Sequence, residues 1–112
     1  MEISFKTNQL GKDLNSAKKL RKKYGDVRAR YIIRRMKVLA ASTTLAEVPH
    51  QPPERCHQLS GDRDEQFGVT IKDQWRIVFK VNHEPIPRKE DNGIDLGKIT
   101  KITITWIGDY HD

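Results

Sequence analysis

Cysteine occurs once in these 112 residues, at Cys56. A single thiol excludes an internal disulfide and is compatible with a reducing compartment. As a small, partly buried side chain it is not expected to act as a nucleophile. Long apolar runs are missing as well. No stretch approaches the roughly 18 residues of a membrane span, and the first ten residues, MEISFKTNQL, lack the apolar core of a signal peptide. Internal repeats are absent, and so is metal-ligand spacing: Cys56, His57, Asp109 and His111 match no zinc motif, so neither metal nor cofactor is expected. These absences describe a soluble, cytoplasmic protein with no membrane partner, and the length suits one domain over residues 1–112 with a single core.

What the chain has is positive charge, unevenly placed. The net charge is +6, but residues 1–37 carry +9 and the remainder −3. Such a patch suits a nucleic-acid backbone or an acidic protein surface. A solvated helix face explains the short run KKLRKK equally well.

Hydrophobic periodicity divides the chain into elements. Ile3 and Phe5 alternate with polar neighbours, as in a half-buried strand. Leu10, Leu14, Ala17, Leu20 and Tyr24 recur at helical spacing, leaving Lys18, Lys19, Lys22 and Lys23 outward. Gly25 suits a helix C-terminus, and Asp26 suits the cap of a second helix whose apolar stripe is Ala29, Ile32, Ile33, Met36, Leu39 and Ala40. Its polar side takes Arg28, Arg30, Arg34, Arg35 and Lys37. So short a turn predicts an antiparallel helix pair.

Thr44 and Glu47 have the spacing of a capping box, and Pro49, Pro52 and Pro53 then impose an extended loop. Beyond it the period becomes two. Phe67, Val69 and Ile71, a turn near Asp73, and Trp75, Ile77, Phe79 and Val81 make a hairpin, and ITKITITWI makes a last strand. Residues 82–98 are polar, contain two prolines and read as a mobile excursion with His83 exposed. The expected fold is α+β: an N-terminal strand, then an antiparallel helix pair on one face of a mainly antiparallel sheet of about four strands.

Alternation then places chemistry. With Trp75, Ile77 and Phe79 toward the helices, Arg76 faces the open side. In a regular last strand Ile102, Ile104 and Trp106 face the helices, while Thr103, Thr105, Asp109 and His111 join Arg76. His57 approaches from the side, just ahead of Gly61-Asp62-Arg63. RNA cleavage through the 2′-hydroxyl needs a base, an acid and positive charge on the phosphoryl oxygens. Histidines supply the first two near neutral pH, an arginine supplies the third, and Tyr110 can stack on a base or donate a proton. Each residue also has a plainer explanation: Arg76 paired with Asp62 or Asp64, His57 held in a loop, and Asp109-Tyr110-His111 a solvated tail.

The stretch RCHQLSGDRDEQFGVTIKDQWRIVFKV, followed later by GDYHD, resembles the HigB toxins of the RelE-like superfamily, which cleave mRNA on the ribosome. The resemblance is close over roughly residues 55–81 and 102–111 and architectural before that. It implies a RelE-like fold and a metal-independent endoribonuclease of a toxin–antitoxin system. It implies catalytic roles for His57, Arg76, Asp109, Tyr110 and His111, and RNA or ribosome contacts from Lys18, Lys19, Lys22, Lys23, Arg30, Arg34 and Arg63. Its implied partners are a HigA-type helix-turn-helix antitoxin, the ribosome and mRNA, with DNA reached only through the antitoxin. Ser60 stands where the family often has lysine, and residues 82–98 lengthen a connection that is usually short. Both departures leave open a degenerate relative that binds but does not cleave. A basic nucleic-acid-binding module, with residues 9–41 as a helix-turn-helix, is the other alternative; it is weaker because those helices look committed to the sheet.

Overall fold

The computed structural model describes residues 1–63 and 65–110. Among them the chain forms three α-helices and a mixed five-stranded sheet: β1 (Glu2–Phe5), α1 (Asn8–Leu14), α2 (Ala17–Tyr24), α3 (Asp26–Ala41), β2 (His57–Gln58), β3 (Gln66–Lys72), β4 (Trp75–Val81) and β5 (Lys101–Asp109). The strands lie in the order β1-β5-β4-β3-β2. β1 runs parallel to β5, and the other neighbours are antiparallel. The α+β architecture is thus as expected, with an added short edge strand at His57. No helix among the described residues is long and apolar enough to cross a membrane.

The first helix is two helices rather than one. Thr7 Oγ1 accepts from Leu10 N to cap α1, and Ser16 Oγ accepts from Lys19 N to cap α2. A serine at that point offers the backbone a better partner than a continued helix does, so the chain breaks at Asn15-Ser16. The break buries Asp13, which accepts from Lys23 Nζ at 3.0 Å and Gln9 Nε2 at 2.9 Å. The hydrogen bond from Lys23 holds its carboxyl below the usual carboxylate range. Lys23, expected to point outward as a free cation, therefore also joins α2 to α1. At the next junction Gly25 takes the cap position with φ +86°, and Asp26 becomes the first residue of α3 without a side-chain cap bond.

α3 packs on the sheet through Ala29, Ile32 and Leu39, against Val69, Ile71, Ile77, Phe79, Ile102 and Ile104. Arg35, expected on its polar side, is only 6% exposed. Its guanidinium donates to the carbonyls of Thr70 at 2.7 Å and Ile71 at 3.2 Å. These carbonyls lie where the β3 register shifts between Thr70 and Lys72. A shifted register leaves ladder groups in need of partners, and a long planar donor reaches both.

The segment 82–98 is docked, not a loose excursion. An isolated bridge joins Arg88 to Ile94, and a 3-10 turn follows at Leu96–Lys98. Ile94 and Ile99 enter the core. Arg88 makes a bidentate pair with Glu65 at 2.7 and 3.0 Å, and His83 Nε2 accepts from Thr100 N at 3.0 Å. The Thr44 capping box is realised only in part: Glu47 accepts from Thr43 N, and Leu45–Glu47 forms a 3-10 turn.

Replacing Arg35 by alanine is expected to cost about 3 kcal/mol, because two buried carbonyls lose a charged donor. Urea unfolding checks this, with Arg35→Lys recovering only part of the loss since an ammonium does not span both carbonyls as a fork does.

Candidate functional site

β5 carries a bulge that decides what faces the open side of the sheet. Ile104 pairs with Phe79, but Trp106 pairs with Val78, so Thr105 is an extra residue in β5. Its hydroxyl lies 2.9 Å from Gln66 Oε1 and 3.1 Å from Val78 O, both acceptors, which holds the insertion in place. One inserted residue reverses the facing of everything that follows. Trp106, expected toward the helices, instead shares the open face with Val78, and Ile107 takes its place at the core. Gly108 pairs with Arg76 on the open face. Asp109, expected beside Arg76, pairs with Trp75, whose ring lies on the helix side between Arg28 at 4.2 Å and Tyr24 at 5.9 Å.

The open face at this end is built from distant parts of the chain. The 3-10 turn Gly61–Arg63 brings the Arg63 guanidinium over the Trp106 ring at 4.3 Å and the Tyr110 ring at 5.4 Å. Such contacts hold a cation without neutralising it. Trp106 in turn lies flat over Gly108: a Cβ there would be 2.4 Å from the indole. Tyr110 N donates to Gln74 O at 2.8 Å, which extends the pairing with the hairpin beyond Asp109. Arg76 is half-buried, its Nη1 donating to the carbonyls of Asp73 at 2.7 Å and Trp75 at 3.1 Å. The result is two guanidinium groups and two aromatic rings on one end of one face.

His57 belongs to the same face but lies farther off. It pairs with Gly68, Gly68 with Val78, and Val78 with Trp106. Two strand spacings, roughly 10 Å, therefore separate His57 from the strand of Arg76. Its Nδ1 is 2.8 Å from Arg55 O, and it lines a cleft of about 530 Å³ with His50 and Lys89. His50, to which sequence reasoning gave no role, has its own Nδ1 2.8 Å from Cys56 O. His111 lies outside the described residues. Lys18, Lys19, Lys22, Arg30 and Arg34 are exposed on the helices, on the opposite side of the sheet from Arg63 and Arg76.

Cys56 is buried in the core, and burial pushes its thiol up to about 12. Among the described residues, no three or more His, Cys, Asp or Glu side chains gather as they would to hold a metal ion. Arrays of stacked arginine and exposed aromatic rings can hold a phosphate and an unpaired base together. No family model matches this chain, and no curated protein matches it.

Two outcomes follow from this geometry. Gly108→Ala is expected to displace the Trp106 ring and with it the Arg63 stack, seen as a changed near-ultraviolet signal with the helical signal retained. The native thiol of Cys56 is expected to resist iodoacetamide at pH 8 and to react on unfolding; rapid native alkylation would contradict its burial.

Proposed function

We propose that this chain is a RelE-like endoribonuclease of the HigB type, a cytoplasmic toxin that cleaves mRNA on the ribosome and is neutralised by a helix-turn-helix antitoxin. The observation that carries this reading is the convergence of Arg63, Arg76, Trp106 and Tyr110 on one open face. It is supported by the likeness of residues 55–81 and 102–111 to that family.

In this reading the 2′-hydroxyl of a splayed nucleotide attacks the adjacent phosphorus, and the 5′-oxygen leaves. A base on the protein takes the hydroxyl proton and an acid supplies one to the departing oxygen. The products are a 2′,3′-cyclic phosphate and a 5′-hydroxyl end. Arg76 and Arg63 offer positive charge to the phosphoryl oxygens as their charge grows. Trp106 and Tyr110 offer faces on which flanking bases stack. His57 and His111 are the candidates for proton transfer, with Asp109 two residues before His111 in sequence. Lys18, Lys19 and Lys22, on the far side of the sheet, suit docking on ribosomal RNA, an attraction that weakens with salt.

One observation favours the non-cleaving alternative. Arg76 already donates to two carbonyls of its own hairpin, which leaves fewer of its donors for a phosphate. Controlled expression in a bacterium separates the two readings. The wild type is expected to arrest growth and create new 5′ ends within translated messages, while Arg76→Ala and Arg63→Ala each lower cleavage by about 100-fold without unfolding. A folded, abundant wild type that neither arrests growth nor creates new ends overturns the nuclease reading in favour of a binding relative.

A further inference from the structure

Away from the open face, α1, β1 and α3 enclose an apolar groove of about 490 Å³ lined by Ile3, Phe5, Leu14, Ile33 and Met36. These five side chains pack partly on the core and remain half-exposed. Half-exposed aliphatic and aromatic side chains gathered in one concavity are uncommon on a surface with no partner. Gly11 helps to shape it, since a Cβ there would lie 3.1 Å from the Phe5 ring. Lys37 and Ile33 also line a neighbouring depression with Arg21, Arg30 and Arg34, so the two form one continuous furrow along α3.

The rim of this furrow is cationic and unspent. Arg21, Arg30, Arg34 and Lys37 form no ion pair among the described residues, and Asp26 is the one acid lining that stretch. An apolar floor offers nothing to a phosphate, and its one aromatic ring, Phe5, lies against α1, so a nucleic acid would use the rim and waste the groove. A helix with apolar residues at i, i+3, i+4 and i+7 and carboxylates along its flanks would use both.

We propose that the furrow along α3 is a docking site for an acidic amphipathic helix of a partner protein. The apolar stripe of that helix fills the space among Ile3, Phe5, Leu14, Ile33 and Met36, and its carboxylates meet Arg30, Arg34 and Lys37. The site lies across the sheet from Arg63 and Arg76, so docking there leaves the open face accessible. It also assigns Arg30 and Arg34 to a protein partner instead of RNA.

A synthetic helical peptide with a leucine stripe and glutamate elsewhere tests this with the full chain, beside the same peptide carrying lysine for glutamate and a single-stranded oligoribonucleotide. Fluorescence anisotropy gives affinity, and backbone amide shifts give location. The glutamate peptide is expected to bind at least about tenfold more tightly than the lysine peptide, to shift amides of β1 and α3, and to weaken with salt. Met36→Asp is expected to weaken it by about tenfold or more, and Lys37→Glu, fully on the surface, to weaken it without any folding cost. Equal binding of the two peptides, no binding of either, or affinity unchanged in Lys37→Glu overturns the proposal. If the oligoribonucleotide shifts the same amides and displaces the peptide with Met36→Asp indifferent, the furrow is a nucleic-acid surface and the proposal fails. None of these readouts depends on RNA cleavage, so the nuclease reading stands or falls separately.

Discussion

The arrangement of the open face depends on one inserted residue, Thr105. A regular β5 would send Trp106 into the core beside Ile104 and leave Ile107 outside. With the bulge, Ile104 and Ile107 both serve the core, and Trp106 and Gly108 both serve the open face. The bulge is held by side chain as well as backbone, because the Thr105 hydroxyl reaches an acceptor on β3 and one on β4. A bulge near a strand end re-aims side chains at small cost when its polar groups find partners. The cluster of Arg63, Trp106 and Tyr110 is the direct result.

A second register shift, in β3, is met differently. There the carbonyls of Thr70 and Ile71 are met from α3, by the buried guanidinium of Arg35, which donates to both. This fixes α3 along the sheet at the hairpin end, where Arg28 from the same helix stacks on Trp75. The helix that carries the cationic rim is thereby tied to the hairpin that carries Arg76. The segment 82–98 is fastened by Arg88, near its middle, on Glu65 and by His83, near its start, on the backbone of Thr100 and Lys101.

Most elements were legible in the sequence because their periods are clean. Phe67, Val69 and Ile71, and then Ile77, Phe79 and Val81, alternate without interruption, and every one of them is buried. The break between α1 and α2 was visible in principle as a serine three residues before Lys19, but Leu14 and Ala17 continue the helical stripe across it and conceal it. Arg35 was misplaced because its charge was taken as a sign of the polar face, although it stands three residues after Ile32 and four before Leu39 and so shares their buried face; the β3 register shift supplies its partners there. The facing of Trp106 and Asp109 could not be read from alternation, which assumes no insertion. Two signals were present: Trp106 and Gly108 stand two apart, as an aromatic ring over a glycine requires, and Ile107 supplies an apolar residue out of phase. The docking of 82–98 escaped because its few apolar contacts, Ile86, Ile94 and Leu96, are embedded in polar sequence.

The charge distribution gains a physical meaning once the two faces are separated. Arg63 and Arg76 sit apart from the basic helices, and the partners that hold them among the described residues are neutral, rings in one case and carbonyls in the other. Neutral partners orient a cation while leaving its charge available, whereas a carboxylate would cancel it. The helix surface uses both arrangements. Lys23 is spent on Asp13 inside the fold, while Arg21, Arg30 and Lys37 along the furrow form no ion pair among the described residues. A chain whose N-terminal third carries +9 thus divides its charge between holding itself together, a stacked array on one side of the sheet, and an apolar furrow on the other. Long-range attraction brings any polyanion toward such a molecule. What distinguishes the two sides is the neutral surface beside the charge: aromatic rings held under a guanidinium on the open face, and an aliphatic floor beside α3.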